Sequence, residues 1–230
     1  MWRIAHRGFS ARHPENTLRA FRAAEQLGVD MVECDVHRTS DGQLIVIHDA
    51  SLDRTTDGRG PVRERTLEDL RRLDAGEGER LPTLEEVLAA VDLPVVVEVK
   101  TPEAVEPLIA LYRARPGLKE RLWPISFGHA LVKALNDAVP GLTSGVLYAG
   151  VPVEPWRLAE AAGAQILLPA LETVSAWEVE AAHRHGLHIS IWTADSEEEF
   201  RFCHEIGVDG IASNRPDLLC AFEAREEERK

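Results

Sequence analysis

Apolar runs alternate with amphipathic stretches along nearly the whole 230-residue chain. Eight runs have the length and composition of buried strands, at residues 2–6, 31–37, 95–100, 122–127, 142–148, 165–169, 188–193 and 210–213. Stretches with helical periodicity follow them, at residues 16–27, 84–91, 102–115, 130–138, 154–162, 175–185, 196–206 and 216–224. Repeated strand–helix units predict a parallel sheet covered by helices. Eight such units predict an α/β fold, a (β/α)8 TIM barrel.

Residues that start and stop helices agree with this pattern. Asn16 and Ser196 are of the types that cap helix N-termini, and Gly163 and Gly207 follow predicted helices as C-terminal caps. We expect the last residues, 225–230, to form a frayed helical tail.

A ninth strand-like run at residues 44–48 follows the second strand across a short turn that contains Asp41 and Gly42. Asp-Gly between two extended runs is typical of a hairpin, and a short turn cannot join parallel strands. The run should therefore return antiparallel and bring His48 to the barrel rim. The following segment then forms an insertion at about 49–82 in one domain that spans residues 1–230.

Composition excludes several classes of protein. A formal net charge of −13 argues against nucleic-acid binding, which needs a basic face. The sequence contains no run of 18 apolar residues, the length that would predict a membrane-spanning helix. We therefore expect no stable membrane insertion. The N-terminus lacks a basic region followed by an apolar run, which predicts a cytoplasmic location. Three cysteines indicate no disulfide framework. The sequence does not indicate an oligomeric state.

Acidic residues interrupt two of the apolar strands. Active sites of TIM barrels lie at the C-terminal ends of the strands. Glu33 and Asp35 are two residues apart in a strand and share a face, and Glu98 occupies the next barrel strand. Three converging carboxylates need protonation, pairing or a cation. All-oxygen ligands suit one divalent cation, Mg²⁺ or Ca²⁺, with Mn²⁺ a further option; the alternative is that these acids pair with arginines at the rim.

Basic residues accompany the acids. Arg7 ends the first strand and Lys100 the third barrel strand, where both can bind phosphate oxygens. Three carboxylates, one divalent ion and these two cations give the mouth a charge of about +1, which suits a phosphodiester anion. Alternatively, each cation only neutralises a neighbouring carboxylate.

Two histidines and one tryptophan complete the candidate site. His6 and His48 lie at predicted mouth positions and can exchange protons near neutral pH. Trp192 ends the seventh barrel strand. It provides either an apolar wall for the substrate's carbon skeleton or a core aromatic at the barrel top.

The order of these short motifs resembles one enzyme family. The matching stretches are HRG at 6–8, PENT at 14–17, ECDVH at 33–37, TSDG at 39–42, HD at 48–49, LDRTT at 52–56, EVK at 98–100, SF at 126–127, WT at 192–193 and DGIASN at 209–214. Together they resemble the glycerophosphodiester phosphodiesterase family, whose members are metal-dependent hydrolases with a TIM barrel.

The resemblance implies cleavage of a small glycerophosphodiester to sn-glycerol 3-phosphate and an alcohol. It implies the roles assigned above: catalytic His6 and His48, metal ligands Glu33, Asp35 and Glu98, and phosphate-binding Arg7 and Lys100. A phospholipase that acts on intact lipids or lysolipids is a second hypothesis, and it requires an exposed apolar rim. A non-catalytic barrel that binds a phosphorylated ligand is a third, and it predicts that one of these positions is missing. The released alcohol is left open.

Overall fold

The computed structural model describes residues 1–228, and its centre is a ring of parallel strands. The nine strands are β1 (Trp2–His6), β2 (Met31–Arg38), β3 (Leu44–Val46), β4 (Val95–Val99), β5 (Leu122–Ser126), β6 (Gly145–Tyr148), β7 (Ile166–Pro169), β8 (His188–Trp192) and β9 (Gly210–Ser213). The helices are α1 (Leu18–Gln26), α2 (Leu67–Leu70), α3 (Leu84–Ala90), α4 (Val105–Ala114), α5 (His129–Ala138), α6 (Trp156–Ala162), α7 (Ala176–Arg184), α8 (Glu197–Ile206) and α9 (Pro216–Glu228).

Parallel pairing closes the sheet into a barrel. The strands follow one another in the order β1, β9, β8, β7, β6, β5, β4 and β2, and β1 also pairs with β2. Ile4 lies opposite Met31 on β2, and Trp2 lies opposite Gly210 on β9. The predicted TIM barrel is therefore confirmed. Most strand ends coincide with the predicted limits; the others fall one to three residues inside them, except that β2 extends one residue further.

Side chains alternate between the barrel interior and the helical layer. A cluster that includes Ile4, Met31 and Val96 fills the interior, while Val32 and Cys34 pack outward among residues of the surrounding helices. Glu33 and Asp35 alternate with these outward residues on β2. The strand period therefore directs both carboxylates into the barrel.

The hairpin and the insertion sit beside the second strand. β3 pairs antiparallel with β2, with Val46 opposite Val36, as the short turn predicted. The insertion over residues 49–82 has its own apolar cluster, formed by Ile45, Ile47, Leu52, Val62, Leu70, Ala75 and Leu81. This cluster joins β3 to the insertion and so fixes the segment that carries His48.

Helix caps agree with the sequence at Ser196, whose side chain accepts a hydrogen bond from the Glu199 N–H, but not at Asn16. Thr17 caps α1 by accepting from the Ala20 N–H, and Asn16 adopts a positive φ of 59°. The prediction was wrong because the Asn16 side chain donates instead to Asp35.

No helix among the described residues is long and apolar enough to span a membrane. The last helix, α9, extends to Glu228 and passes its predicted end at residue 224. The predicted tail over 225–230 is thus helical up to that residue, and its last two positions lie outside the described residues.

The turn after β1 supplies a stability test. Gly8 and Gly28 have nearly equal φ angles of 78° and 77°, so alanine at either position adopts a left-handed conformation that costs about 1–2 kcal/mol. An added Cβ at Gly8 would lie 2.6 Å from the Ala20 carbonyl carbon, whereas one at Gly28 meets no atom within 4 Å. We expect Gly8→Ala to lower the free energy of unfolding by about 1–3 kcal/mol more than Gly28→Ala in urea titrations. Equal losses would contradict this packing.

Candidate active site

A cavity of about 230 Å³ opens at the C-terminal ends of the barrel strands. Its lining residues are Ile4, His6, Arg7, Glu33, His48, Val96, Glu98, Ile125, Phe127, Leu147, Leu168, Trp192, Thr193 and Ala212. Charged groups and histidines thus share one cavity with a set of apolar side chains.

Three carboxylates meet at the side of this cavity formed by β2 and β4. Glu33, Asp35 and Glu98 each offer one oxygen, and these oxygens lie within 4.8 Å of one another. Asp35 and Glu98 are register partners on adjacent strands. Asp35 is fully buried and Glu33 nearly so. The predicted acidic cluster therefore forms.

The two predicted phosphate-binding cations contact the acids directly. The ammonium of Lys100 lies 2.8 Å from Glu98 Oε1 and 3.3 Å from Asp35 Oδ1. The Nε atom of Arg7 lies 3.3 Å from Asp35 Oδ2, and its backbone N–H donates to Glu33 Oε2 at 3.0 Å. Arg7 lines the cavity, whereas Lys100 is not among its lining residues. The contacts with the acids are those expected from the alternative interpretation, in which Arg7 and Lys100 neutralise neighbouring carboxylates.

Backbone conformation around Arg7 is unusual. Arg7 and Asn16 both have positive φ angles, of 56° and 59°, a region that non-glycine residues rarely adopt. Asn16 Nδ2 donates to Asp35 Oδ2 at 2.8 Å. These two conformations aim both side chains at Asp35, and such conformations cluster at functional sites.

Burial and neighbouring charges shift the pKa values of the three acids in different directions. Burial, together with the nearby Asp35, raises the pKa of Glu33 well above its ordinary value. Burial and Asp35 also raise the pKa of Glu98 to about 6. Burial opposes ionisation of Asp35, but Lys100 and Arg7 outweigh it and hold its pKa below the ordinary value.

His6 is held from one ring nitrogen. Its Nδ1 donates to Asn214 Oδ1 at 2.8 Å, and Asp195 Oδ2 accepts a hydrogen bond from the Asn214 amide at 2.7 Å. The opposite nitrogen, Nε2, faces the cavity 3.9 Å from Glu33 Oε2. Burial and the adjacent Arg7 lower the pKa of His6 to about 4. His6 is therefore neutral near pH 7, with Nε2 able to accept a proton.

Sequence reasoning did not identify Asn214 or Asp195 as site residues. Asn214 directly follows β9, where side chains of a barrel reach the mouth. Its position directly after β9 was therefore the signal that could have identified Asn214 as a site residue. Asp195 lies in the loop after β8 and could not be assigned from its position alone.

His48 is positioned in a similar way. The strand β3 and the insertion bring it to the cavity, as predicted. His48 Nδ1 lies 2.6 Å from Asp49 Oδ1, and the ring of His37 donates from Nε2 to the main-chain oxygen of His48 at 3.1 Å. These contacts leave His48 Nε2 for the cavity.

A chain of alternating charges connects the loops that carry the two histidines. Asp49 accepts two hydrogen bonds from Arg54, at 2.8 and 2.9 Å, and Arg54 donates two more to Glu15, both at 2.9 Å. Glu15 in turn accepts from Arg7 at 3.0 Å. We call Arg7, Glu15, Arg54 and Asp49 the charge chain. Arg54 is the largest cause that holds the pKa of Asp49 well below its usual range, so Asp49 is ionised.

The opposite wall of the cavity is apolar. The ring of Trp192 lies edge-to-face with Phe127, with centroids 5.3 Å apart, and its Nε1 donates to the Leu168 carbonyl at 2.9 Å. Trp192 therefore lies where an apolar wall was predicted. Phe127, directly after β5, was not assigned a role from the sequence.

Comparisons with known proteins agree with this geometry. Residues 6–218 match the model of the glycerophosphoryl diester phosphodiesterase family. A glycerophosphodiester phosphodiesterase of Caldanaerobacter subterraneus subsp. tengcongensis is 38% identical over 231 residues, which cover 94% of this chain and 95% of the relative. Another, from Bacillus altitudinis, is 32% identical, with 97% and 98% covered.

Solved structures share the same fold. A phosphodiesterase of Oleispira antarctica, solved with its product sn-glycerol-3-phosphate, superposes with a TM-score of 0.89 at 26% identity and covers 97% of both chains. A glycerophosphodiester phosphodiesterase of Agrobacterium tumefaciens gives a TM-score of 0.81 at 29% identity, covering 96% of this chain and 100% of its own. The family match over nearly the whole chain shows that this protein belongs to the glycerophosphodiester phosphodiesterases, a family of hydrolases.

Proposed function

We propose that this protein hydrolyses small glycerophosphodiesters to sn-glycerol 3-phosphate and an alcohol, with one divalent cation and the pair His6 and His48. The observation that carries the proposal is the convergence of two histidines, Glu33 and Glu98 on one cavity, with Asp35 buried beside the two acids. Each histidine has Nδ1 bonded to a fixed acceptor and Nε2 left for the substrate. The Oleispira antarctica phosphodiesterase, which binds this product, shares the fold.

The acids fit a cation in their chemistry and spacing. Oxygens within 4.8 Å of one another can all reach one ion at the 2.0–2.6 Å distances typical of Mg²⁺ and Ca²⁺. Asp35 Oδ1 is buried and has no hydrogen-bond partner within residues 1–228, which leaves it available as a ligand. We therefore assign Glu33, Asp35 and Glu98 as ligands of Mg²⁺ or Ca²⁺, with Mn²⁺ as a further candidate. When bound, the cation neutralises charge that develops on the phosphoryl oxygens.

Arg7 is best placed to bind the phosphate of the substrate. Its side chain lines the cavity, and its Nε is buried without a hydrogen-bond partner in the described chain. Lys100 balances Asp35 and Glu98 and attracts the anion over a longer distance. Three carboxylates, a divalent ion, Arg7 and Lys100 give a local charge of about +1, although the whole chain has a charge of −13.

The surroundings of the two histidines differ, and this supports different roles for them. His6 is neutral near pH 7 and is the general base for the attacking hydroxyl, whether that hydroxyl belongs to water or to the glycerol. His48 is bonded through Nδ1 to the Asp49 carboxylate, which fixes the ring with Nε2 left for the substrate. We assign it as the general acid that donates a proton to the leaving alkoxide.

Asp49 and Arg54 act as positioning residues. Asp49 fixes the ring of His48 as the aspartate of a catalytic triad fixes its histidine. Arg54 holds that carboxylate with two hydrogen bonds and anchors the insertion to the loop after β1 through Glu15. The charge chain therefore sets the separation of the two histidines.

The metal site can be tested by calorimetric titration of metal-free protein. We expect Glu98→Gln to weaken binding of Mg²⁺, Mn²⁺ or Ca²⁺ by about tenfold or more, because one of three charged ligands is lost. Glu103→Gln is the control, since it changes the net charge equally and lies shortly after β4 in the chain but outside the cluster. Unchanged affinity in Glu98→Gln would remove this residue from the ligand set.

The histidine roles can be separated by the choice of leaving group. With glycerophosphocholine, His6→Ala and His48→Ala should each lower kcat by about 10² or more, whereas His188→Ala, at the opposite barrel end, should not. In a glycerol phosphodiester of p-nitrophenol, the leaving group is p-nitrophenolate, which departs without needing a proton. This substrate should therefore restore turnover in His48→Ala but not in His6→Ala. Restoration in His6→Ala alone would reverse the assignment.

The positioning role of Asp49 has its own test. Asp49→Asn keeps the size of the side chain but removes the charge, so we expect kcat for glycerophosphocholine to fall by about 10–10³-fold with little change in KM. Metal affinity and the thermal unfolding temperature should stay near wild-type values. A loss of metal binding or a large fall in unfolding temperature would instead indicate a structural role.

A further inference from the structure

Asp195 holds Asn214 through both the backbone and the side chain of that residue. Asp195 lies in the loop after β8, and Asn214 directly follows β9. Asp195 Oδ1 accepts a hydrogen bond from the Asn214 backbone N–H at 2.7 Å, and Oδ2 accepts one from Asn214 Nδ2, also at 2.7 Å. The Ser213 hydroxyl donates to Oδ1 at 3.0 Å. Three donors at the end of β9 therefore converge on one carboxylate.

These bonds fix the direction in which the side-chain amide of Asn214 faces. An ionised carboxylate can only accept hydrogen bonds, so the amide nitrogen of Asn214 has to point toward Asp195. The amide oxygen then points the other way and lies 2.8 Å from His6 Nδ1. With the amide reversed, two acceptor oxygens would face each other at 2.7 Å without a proton between them. That contact opposes the reversed orientation.

The neighbouring Ser10 does not impose an orientation on this amide. Ser10 Oγ lies 2.9 Å from Asn214 Oδ1 and 2.9 Å from the main-chain oxygen of His6. A hydroxyl has one proton and two lone pairs. Ser10 can therefore donate to the amide oxygen of Asn214, or accept from a reversed amide while it donates to His6. Among these contacts of the Asn214 side chain, the one with Asp195 decides the orientation.

The orientation of the amide decides where the ring of His6 carries its proton. A neutral imidazole has one proton, and the hydrogen bond made by one ring nitrogen sets the state of the other. Because Nδ1 faces an acceptor oxygen, the proton is on Nδ1, and Nε2 faces the cavity with a lone pair. The other tautomer would direct an N–H group at the attacking hydroxyl and could not accept its proton.

We propose that Asp195 is a positioning residue for catalysis, because it orients the Asn214 amide and so keeps the proton of neutral His6 on Nδ1. This rests on the proposed role of His6 as general base. Asp195 and Asn214 are not among the residues that line the cavity, so both act through His6. At His48, a carboxylate contacts Nδ1 directly. At His6, an amide separates the carboxylate from Nδ1 and orients the ring without a negative charge on that nitrogen.

Asp195→Asn tests the proposal because it keeps the size of the side chain but turns one acceptor into a donor. The backbone N–H of Asn214 still needs an acceptor, so the new amide places its oxygen there and its NH₂ group toward the Asn214 side chain. The Asn214 amide then reverses and moves the ring proton of His6 to Nε2. We expect kcat for glycerophosphocholine to fall by about 10–10³-fold, with KM and Mg²⁺ affinity near wild-type values.

Nitrogen NMR spectra of protein with isotope-labelled histidines report the tautomer directly. They are recorded with Mg²⁺ present, and the signals of His6 are identified by their loss in His6→Ala. We expect the proton on Nδ1 in wild-type protein and on Nε2 in Asp195→Asn. A purely structural role of Asp195 in its loop would leave the tautomer unchanged.

Exchanging the two groups should reverse the effect. Asp195→Asn combined with Asn214→Asp keeps the net charge and again gives His6 Nδ1 an acceptor, now a carboxylate that is itself held by the new amide. We expect the proton to return to Nδ1 and kcat to recover to within about tenfold of the wild-type value. Asp217→Asn is the control. It removes the same charge from an ion pair with Arg215 outside the cavity and should change neither quantity.

Three outcomes would count against these proposals. Wild-type kcat in Asp195→Asn, or an unchanged tautomer of His6 in that variant, would contradict the inference. A fall in kcat that the exchange with Asn214 does not restore, with the proton still on Nδ1, would show that Asp195 only holds its loop. No turnover by wild-type protein with Mg²⁺, Mn²⁺ or Ca²⁺ would instead contradict the proposed function, and the NMR spectra would still decide whether Asp195 sets the tautomer.

Discussion

Repulsion among three close carboxylates, two of them buried, is the constraint on which the rest of the site depends. With oxygens up to 4.8 Å apart, two ionised carboxylates repel by on the order of 3–4 kcal/mol at the effective dielectric of a protein site. A fold that keeps Glu33, Asp35 and Glu98 together must supply compensating positive charge. Lys100 and Arg7 supply part of it, while burial and the charge of Asp35 still raise the pKa values of Glu33 and Glu98. Three carboxylate oxygens this close together could hold a metal ion.

The same constraint explains the arrangement of the mouth. Arg7 needs a positive φ to place its backbone N–H on Glu33 and its side chain near Asp35. Gly8 follows Arg7 in the chain and lies so close to Ala20 of α1 that a Cβ atom would not fit there. From Arg7 the charge chain extends through Glu15 and Arg54 to Asp49 beside His48. Electrostatic balance at the acids is thereby linked to the position of His48, which directly precedes the insertion.

The barrel and the main site residues could be predicted from the sequence because strand periodicity is a local property. Alternation along β2 directs the side chains of Glu33 and Asp35 inward, independently of loop conformation. The short turn before β3 requires an antiparallel return, which brings His48 to the cavity. The positions of Arg7 and Lys100 could be predicted because they lie at the ends of the first and third barrel strands.

The partners of these residues could not be predicted in the same way, because they depend on loop conformation. Asn16 is a residue of the type that commonly caps helices, and it lies just before α1. Only its positive φ places its side-chain amide where it donates a hydrogen bond to Asp35. Asn214 meets His6 across the β1–β9 pairing, 208 positions apart in the chain. The ion pair of Arg54 with Glu15 is also non-local, 39 positions apart in the chain. Phe127 was assigned to a strand, although its place just beyond the end of β5 exposes it at the mouth.

The central claim is that the acids and histidines form one metal-dependent phosphodiesterase site. The most direct measurement is release of glycerol 3-phosphate from glycerophosphocholine in a coupled assay, with protein first stripped of metal and then given Mg²⁺, Mn²⁺ or Ca²⁺. The account predicts little release from stripped protein and restored release with at least one of these ions. Full activity after complete removal of metal, or no release with any of the three ions, would contradict it.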